Sequence, residues 1–428
     1  MANATPDANL RRVILSSLIG ATIEWYDFFL YGTIAGIVFN KLYFPNSDPL
    51  VSTLLAYTTF AVGFVTRPLG GVIFGHFGDR LGRKSVLVMT LMIMGVATFL
   101  IGLIPTYAQI GVAAPLLLLL MRIFQGIGLG GEWGGAVLMA FEYAPENRRG
   151  LYASIPQIGL AIGLCLSSGF VWLLSQLPDA DFLSWGWRVA FMASIVLVGV
   201  GLYIRLRILE TPEFIRVKNA GQEAKVPFMD MLKQYPANVL LGMGARYIDG
   251  VFFNVVAVFS IGYLVNTVKF TRPTALFGVT LSALTLIVAI PVFSWISDRV
   301  GRRKVYAVSS LVTAASGYWL FSLMTPGIDP WTLYFAMIVC FGVFYAGVYG
   351  PEAALFSELF DPRVRYTGIS FVYQFSGIFA SGITPIVAAW LVAKGGGEPW
   401  LLCAYVMFAG VVSAISAAFA KPVVPQKF

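Results

Sequence analysis

Long apolar runs, broken by short polar clusters, set the pattern of the whole chain. Twelve such runs occupy about 13–40, 50–78, 85–105, 112–142, 151–175, 187–207, 237–266, 273–297, 305–325, 331–359, 366–393 and 399–420. Each is about 20 residues or longer, the length an α-helix needs to cross a hydrocarbon layer of roughly 30 Å. Polar and apolar residues do not alternate within the runs, as they would in strands of a membrane barrel. In lipid only helices and closed barrels satisfy the backbone, so the pattern predicts an all-α integral membrane protein. The longest polar stretch, about 208–236, separates run six from run seven and carries Glu210, Glu213, Arg216, Lys218, Glu223, Lys225, Asp230 and Lys233. The predicted layout is a tail at 1–12, a six-helix bundle at 13–207, a partly helical linker at 208–236, a second six-helix bundle at 237–420 and a tail at 421–428.

The polar clusters themselves repeat. Gly75-His76-Phe77-Gly78-Asp79-Arg80-Leu81-Gly82-Arg83-Lys84 returns as Ser294-Trp295-Ile296-Ser297-Asp298-Arg299-Val300-Gly301-Arg302-Arg303-Lys304, so Asp79, Arg80 and Arg83 correspond to Asp298, Arg299 and Arg302 at a constant offset of 219 residues. A weaker echo links Glu142–Gly150 to Glu358–Gly368: each leaves an apolar run with Glu, turns through Pro, carries two Arg and re-enters through Gly. Two similar halves, each with a basic hairpin between apolar segments, point to a membrane transporter.

Composition agrees. Hydrophobic residues make up 58% and charged residues 12% of the chain, with a mean hydropathy of +0.79; soluble domains carry roughly 25% charged residues. The net charge of +8 is explained by topology. With both termini on one side, that side holds 21 basic residues and the other 5, with Arg67, Arg122 and Arg246 inside the runs. The positive-inside rule then makes both termini and the linker cytoplasmic, and the basic excess is no sign of a nucleic-acid ligand. Cys165, Cys340 and Cys403 lie in apolar runs and read as buried filler. His76 is the single histidine, so a His-based metal cluster is excluded, and beside the hairpin it reads as a packing residue. No nucleophile triad, P-loop or metal-ligand cluster is present, and glycine-rich 126–135 follows no strand. An enzyme is therefore not expected, nor is an ATP-driven pump. No cofactor is expected, and the buried carboxylates make protons the default coupling ion.

Ionisable groups within the bilayer cost several kcal/mol each and normally face a cavity or a partner. Run one carries Glu24, Asp27 and Tyr31 at spacings that share roughly one helix face; these carry a proton or meet a polar substrate, or else lock the helix to a neighbour. Run four carries Arg122, Gln125 and Glu132 near one face, with glycines that allow close helix approach. An arginine there holds a carboxylate bidentately, or forms an internal pair with Glu132. Run seven carries Arg246 and Asp249 at i, i+3, a local ion pair or a substrate and gating site. Run ten carries Tyr345, Tyr349, Gly350, Pro351 and Glu352, where Gly-Pro is expected to interrupt a helix near the midplane. Arg67 precedes the first hairpin by one to two turns and is expected to snorkel toward it in a structural role.

At this point the chain resembles the major facilitator superfamily over essentially its full length. Gly75–Lys84 is similar to the superfamily's loop motif between helices two and three, Asp298–Arg303 to its second-half copy, and Arg122-x-x-Gln125-Gly126-x-Gly128 to its helix-four motif. Trp25-Tyr26-Asp27-Phe28, Arg67–His76, Gly130–Gly135, Ser184–Arg188 and Arg363–Gly368 narrow the resemblance to the metabolite:H+ symporter family. The resemblance implies alternating access between two six-helix bundles around a central site. It implies that Asp79, Arg83, Asp298 and Arg302 make cytoplasmic charge contacts favouring the outward-open state. Arg80 and Arg299 are assigned to the same latch. The second latch has Ser294 and Ser297 in place of Gly75 and Gly78, so it is expected to pack less tightly than the first. The resemblance also implies that Asp27, Arg122 and Gln125 lie near the substrate and proton route. The family's substrates include shikimate, α-ketoglutarate, citrate, proline and betaine, and the first half most resembles the shikimate-type members. The chain ends soon after Lys421–Pro425, without the long charged coiled coil of the osmolyte branch. The expectation is proton-coupled uptake of a small organic acid by a monomer in the lipid bilayer of a bacterial inner membrane. Carriers of zwitterionic osmolytes or polyols are the alternative within transport. A non-transporting sensor is the alternative outside it and is expected to append a signalling domain.

Overall fold

The computed structural model describes residues 6–45, 48–71, 73–74, 83–130, 133–206, 227–360 and 364–423. Among these the chain is helical, with no strand. The first half contains α1 (Pro6–Ile34), α2 (Pro49–Val65), α3 (Arg83–Ile101), α4 (Ala113–Leu129), α5 (Trp133–Tyr143), α6 (Arg149–Leu174), α7 (Trp187–Met192) and α8 (Ser194–Leu206). After the short helix Pro227–Gln234, the second half contains α9 (Pro236–Asn254), α10 (Arg272–Val300), α11 (Arg302–Leu323), α12 (Ala346–Ser357), α13 (Arg365–Gly377), α14 (Thr384–Lys394) and α15 (Trp400–Phe419). Eight helical segments among the described residues are long and apolar enough to cross a membrane, among them Pro49–Gly71, Pro236–Asn266 and Arg272–Val300. Val88–Ile101 and Ala113–Leu129 are shorter apolar helices. Of the expected linker, 208–226 lies outside the described residues, and 227–234 is helical as anticipated.

The halves share an irregularity as well as a motif. α1 passes into a π-helical segment at Ala35–Phe39, and α9 does so at Val255–Phe259. Their offset of 220 residues matches the sequence repeat to within one. Each π segment is buried against the other half, where an extra residue per turn re-aims the backbone. The expected break at Gly350-Pro351 does not occur, because α12 runs through Pro351. The irregular backbone lies about two to three turns earlier, in the π segment Ile338–Phe344.

Glycines set the closest helix approaches. A Cβ on Gly126 would lie 1.9 Å from Thr66 Oγ1, one on Gly130 2.0 Å from the Arg67 carbonyl, and one on Gly70 2.0 Å from the Ile127 carbonyl. Any side chain at these positions would force the span Pro49–Gly71 and α4 apart, and with them Arg67 and Arg122. Between the halves, α6 packs along α10, while within the first half it packs along α1. Large apolar side chains such as Leu240, Val288 and Trp331 remain exposed. A lipid-facing surface leaves them so.

Candidate functional site between the halves

The two halves meet at both ends. At the end bearing the second-half hairpin, Gly301 adopts φ 106°, a conformation that suits glycine, and joins α10 to α11 in a tight turn. This aims Asp298 across the interface. Its Oδ1 accepts from the Gly150 N–H at 2.9 Å and its Oδ2 from the Leu151 N–H at 3.0 Å. A carboxylate on the first turn of α6 also complements the helix dipole. Arg302 Nη2 binds Asp298 at 2.8 Å, and Arg302 also pairs with Glu358. Arg299 takes no part in these contacts; its guanidinium lies 3.9 Å over the Trp295 ring. Asp79 and Arg80 lie outside the described residues, and Arg83 begins α3. At the same end the Trp133 and Tyr373 rings stack at 3.7 Å across the halves, and Gln157 Nε2 donates to the Tyr349 carbonyl at 2.9 Å.

The opposite end is closed by small contacts. The Tyr57 hydroxyl lies beside Gly36 and Gly262, where a Cβ on either would come within 2.8 Å of it. Asn266 Nδ2 donates to the Gly36 carbonyl at 3.1 Å, the Phe29 and Phe253 rings stack at 4.8 Å, and Arg272 pairs with Asp179. Between the ends lies a cavity of about 10 Å³. Trp25, Phe28, Phe29 and Phe64 wall it on one side, and Arg246, Asp249, Phe253, Tyr345 and Tyr373 on the other. That volume holds about one water molecule, so a metabolite enters only when the halves separate.

In the second half, the three charged residues singled out in the sequence converge. Arg246 pairs with Asp249 one turn along α9, and its Nε lies 3.5 Å from Glu352 on α12. The Tyr345 hydroxyl donates to Asp249. The Arg246 guanidinium covers the Tyr373 ring at 4.0 Å. Glu352 is fully buried, and neither of its oxygens has a hydrogen-bond partner. The Tyr349 and Tyr373 hydroxyls approach each other without a hydrogen bond of good geometry.

The first half arranges its charges differently. Arg122 is fully buried between α1, α2 and α4 and does not line the cavity. Its Nε and Nη2 share the Phe60 carbonyl at 3.4 and 3.3 Å, and its Nη1 donates to Gln125 Oε1 at 3.0 Å. It also lies over the rings of Phe28, Tyr31 and Phe60. Gln125 in turn donates to Thr98 Oγ1 at 2.8 Å, and Tyr31 to Thr59 at 2.7 Å. Asp27 is fully buried beside Thr98, yet neither oxygen makes a hydrogen bond. In the closed arrangement the Thr98 hydroxyl beside it donates to the Met94 carbonyl at 2.9 Å instead. Glu24, three residues earlier, faces a separate small cavity with Trp25 and Trp133. Glu132 lies outside the described residues. Arg67 is 2% exposed and does not snorkel. Phe28, Phe64 and Trp25 enclose its guanidinium at 4.3, 4.2 and 5.7 Å.

Two family patterns match this chain, sugar (and other) transporters over residues 13–237 and the major facilitator superfamily over residues 241–427. It is 38% identical to the shikimate transporter of Escherichia coli (strain K12), across 96% of this chain and 94% of that one. It is 40% identical to an inner membrane metabolite transport protein of the same organism, across 92% and 90%. A proline/betaine transporter from that strain is 32% identical, across 96% and 83%. The solved structure of a D-xylose-proton symporter shares the fold with a TM-score of 0.75 at 18% identity, covering 96% of this chain and 98% of that one. The chain belongs to the major facilitator superfamily, in its metabolite:H+ symporter branch. It is a multi-pass membrane transporter of small metabolites, not an enzyme.

Proposed function

We propose that this protein is a proton-coupled symporter that imports a small carboxylated metabolite across a bacterial inner membrane by alternating access. The observation that carries the proposal is Asp27, a fully buried carboxyl with no hydrogen-bond donor on either oxygen. An ionised carboxylate buried without donors costs several kcal/mol, and a neutral one much less. The closed arrangement therefore favours the protonated acid, and reopening to water favours its release. Glu352, whose oxygens likewise lack hydrogen bonds, is the second candidate and is held near Arg246. Protons are the coupling ion, and no cofactor takes part.

Three buried guanidiniums, Arg67, Arg122 and Arg246, suit an anionic substrate. In the proposed cycle, proton and substrate enter from outside and the halves close over them. The Asp298 contacts with α6 then break at the cytoplasmic end, and both leave inward. The shikimate transporter among the relatives supports this class. The monomer, with its own two halves around one site, is the proposed working unit.

A second reading has its own observation. The cavity wall is largely aromatic, and aromatic faces also bind quaternary ammonium groups; the proline/betaine relative fits that reading. A thermal-shift screen of organic acids, sugars and betaines separates the two, since a ligand of the folded state raises the apparent melting temperature. For coupling, uptake into proteoliposomes is expected to accelerate under an imposed pH gradient and collapse with a protonophore. Uptake indifferent to both would sink the symport proposal.

A further inference from the structure

We infer that Arg67, not Arg122, is the first-half residue that receives the substrate's carboxylate, opposite Arg246. The inference rests on the reading that the substrate is a carboxylic acid. The three arginines differ in what fills their donor edges. A guanidinium offers Nε–H and an Nη2–H side by side, the paired edge that matches two carboxylate oxygens. In Arg122 that edge is occupied by the Phe60 carbonyl, and the remaining Nη1 by Gln125. In Arg246 the Nε faces Glu352 and the Nη1 faces Asp249. In Arg67 the same edge is empty: Nε and Nη2 are buried without a hydrogen-bond partner, and Arg67 joins none of the ion pairs among the described residues.

Its position suits the role. The rings that enclose Arg67, namely Trp25, Phe28 and Phe64, form the first-half wall of the central cavity. Tyr373, Arg246 and Tyr349 of the other half lie within electrostatic range of its guanidinium, as does the Glu24 carboxylate of its own half. Tyr373 is itself covered by Arg246, so one tyrosine stands near both cations. Cation–π contacts offset part of the cost of burying a guanidinium. They leave the hydrogen-bond edge unused, because ring faces accept charge and not a directed pair of N–H groups. A carboxylate held side-on by Arg67 would fill that edge and face the half that contributes Tyr373 to the cavity wall.

The test compares acids with their neutral amides in proteoliposomes of the full-length protein. The probes are shikimate, citrate and α-ketoglutarate, the primary amide of whichever is transported, and choline, a quaternary ammonium that has no carboxylate. For Arg67→Gln, KM for the acid is expected to rise at least tenfold while KM for the amide changes less than threefold, so acid-over-amide preference disappears. Arg67→Lys keeps the charge without the paired edge and is expected to lose affinity while retaining part of that preference. If Arg67→Gln does not fold, the Lys variant decides alone. Wild-type KM and preference in the variants would overturn the inference, as would an equal loss for acid and amide, which marks a purely structural residue. If the wild-type protein takes up choline and none of the acids, the carboxylate reading itself fails, and that is seen before any variant is made.

Discussion

Both halves of this transporter bury arginines, and Arg246 and Arg122 are neutralised by different means. Arg246 in the second half is held by the carboxylates of Asp249 and Glu352. Arg122 in the first half is held by a backbone carbonyl and an amide, with aromatic rings around it. The consequence falls on the acids. In the second half the carboxylates are tied to a cation, whereas in the first half Asp27 has no donor at all. The duplicated fold thus treats its buried acids in two ways. One half ties its carboxylates to a cation, and the other buries without a hydrogen bond the carboxyl proposed above to carry the proton.

That contrast can be broken most severely at Arg246. Arg246→Ala would strand two buried carboxylates, and leaving an uncompensated buried charge costs about 3–5 kcal/mol. The melting temperature in detergent is expected to fall clearly and uptake to vanish. Arg246→Ala combined with Asp249→Ala should recover part of the stability. An unchanged melting temperature in the single variant would show that the network does not hold the half together.

Arg122→Ala comes next. It strands neutral groups, at about 1–3 kcal/mol for each unsatisfied partner, and opens a space among the rings. Uptake is expected to be nearly eliminated with a smaller thermal penalty than for Arg246→Ala. Wild-type uptake would show that Arg122 is dispensable to transport, and a larger penalty than at Arg246 would reverse the comparison.

Asp27→Asn sharpens the contrast from the other side. Asp27 makes no hydrogen bond to lose, so stability should change by less than about 1 kcal/mol, as for substitutions that disturb no partner. Gradient-driven accumulation should be lost while substrate exchange between equal pools persists. Accumulation that continues under a pH gradient would move the proton to Glu352 or Glu24.

The smallest expected effect is at the hairpin. Asp298→Asn weakens a cap and a dipole contact worth about 1 kcal/mol. Labelling of a cysteine placed at residue 154 is expected to increase, because the halves separate more often at that end. Labelling equal to wild type would remove Asp298 from the latch.

Much of this was legible in the residue pattern. The apolar runs gave the helices, the 219-residue repeat gave the two halves, and the spacing of Arg246 and Asp249 gave their ion pair. Glu352 was singled out for a helix break that does not form, yet its buried place beside Arg246 comes from the packing of α9 against α12. Arg67 illustrates why the rest was hidden. Its proximity to the hairpin in sequence suggests a side chain reaching for water, but Trp25 and Phe28 arrive from α1 and enclose it. The partners of Asp298 are backbone amides 147 and 148 residues away, which no motif marks.

The sequence by itself determined that the chain lives in lipid, that it is duplicated, and that Asp27, Arg122, Arg246, Asp249 and Glu352 lie inside apolar runs, where charges are too costly to be incidental. Only the tertiary structure decided which of those charges meet. Ion pairing and hydrogen bonding depend on distances of a few ångströms between helices far apart in the chain. It is those distances that leave Asp27 without a donor and Arg67 with an empty edge.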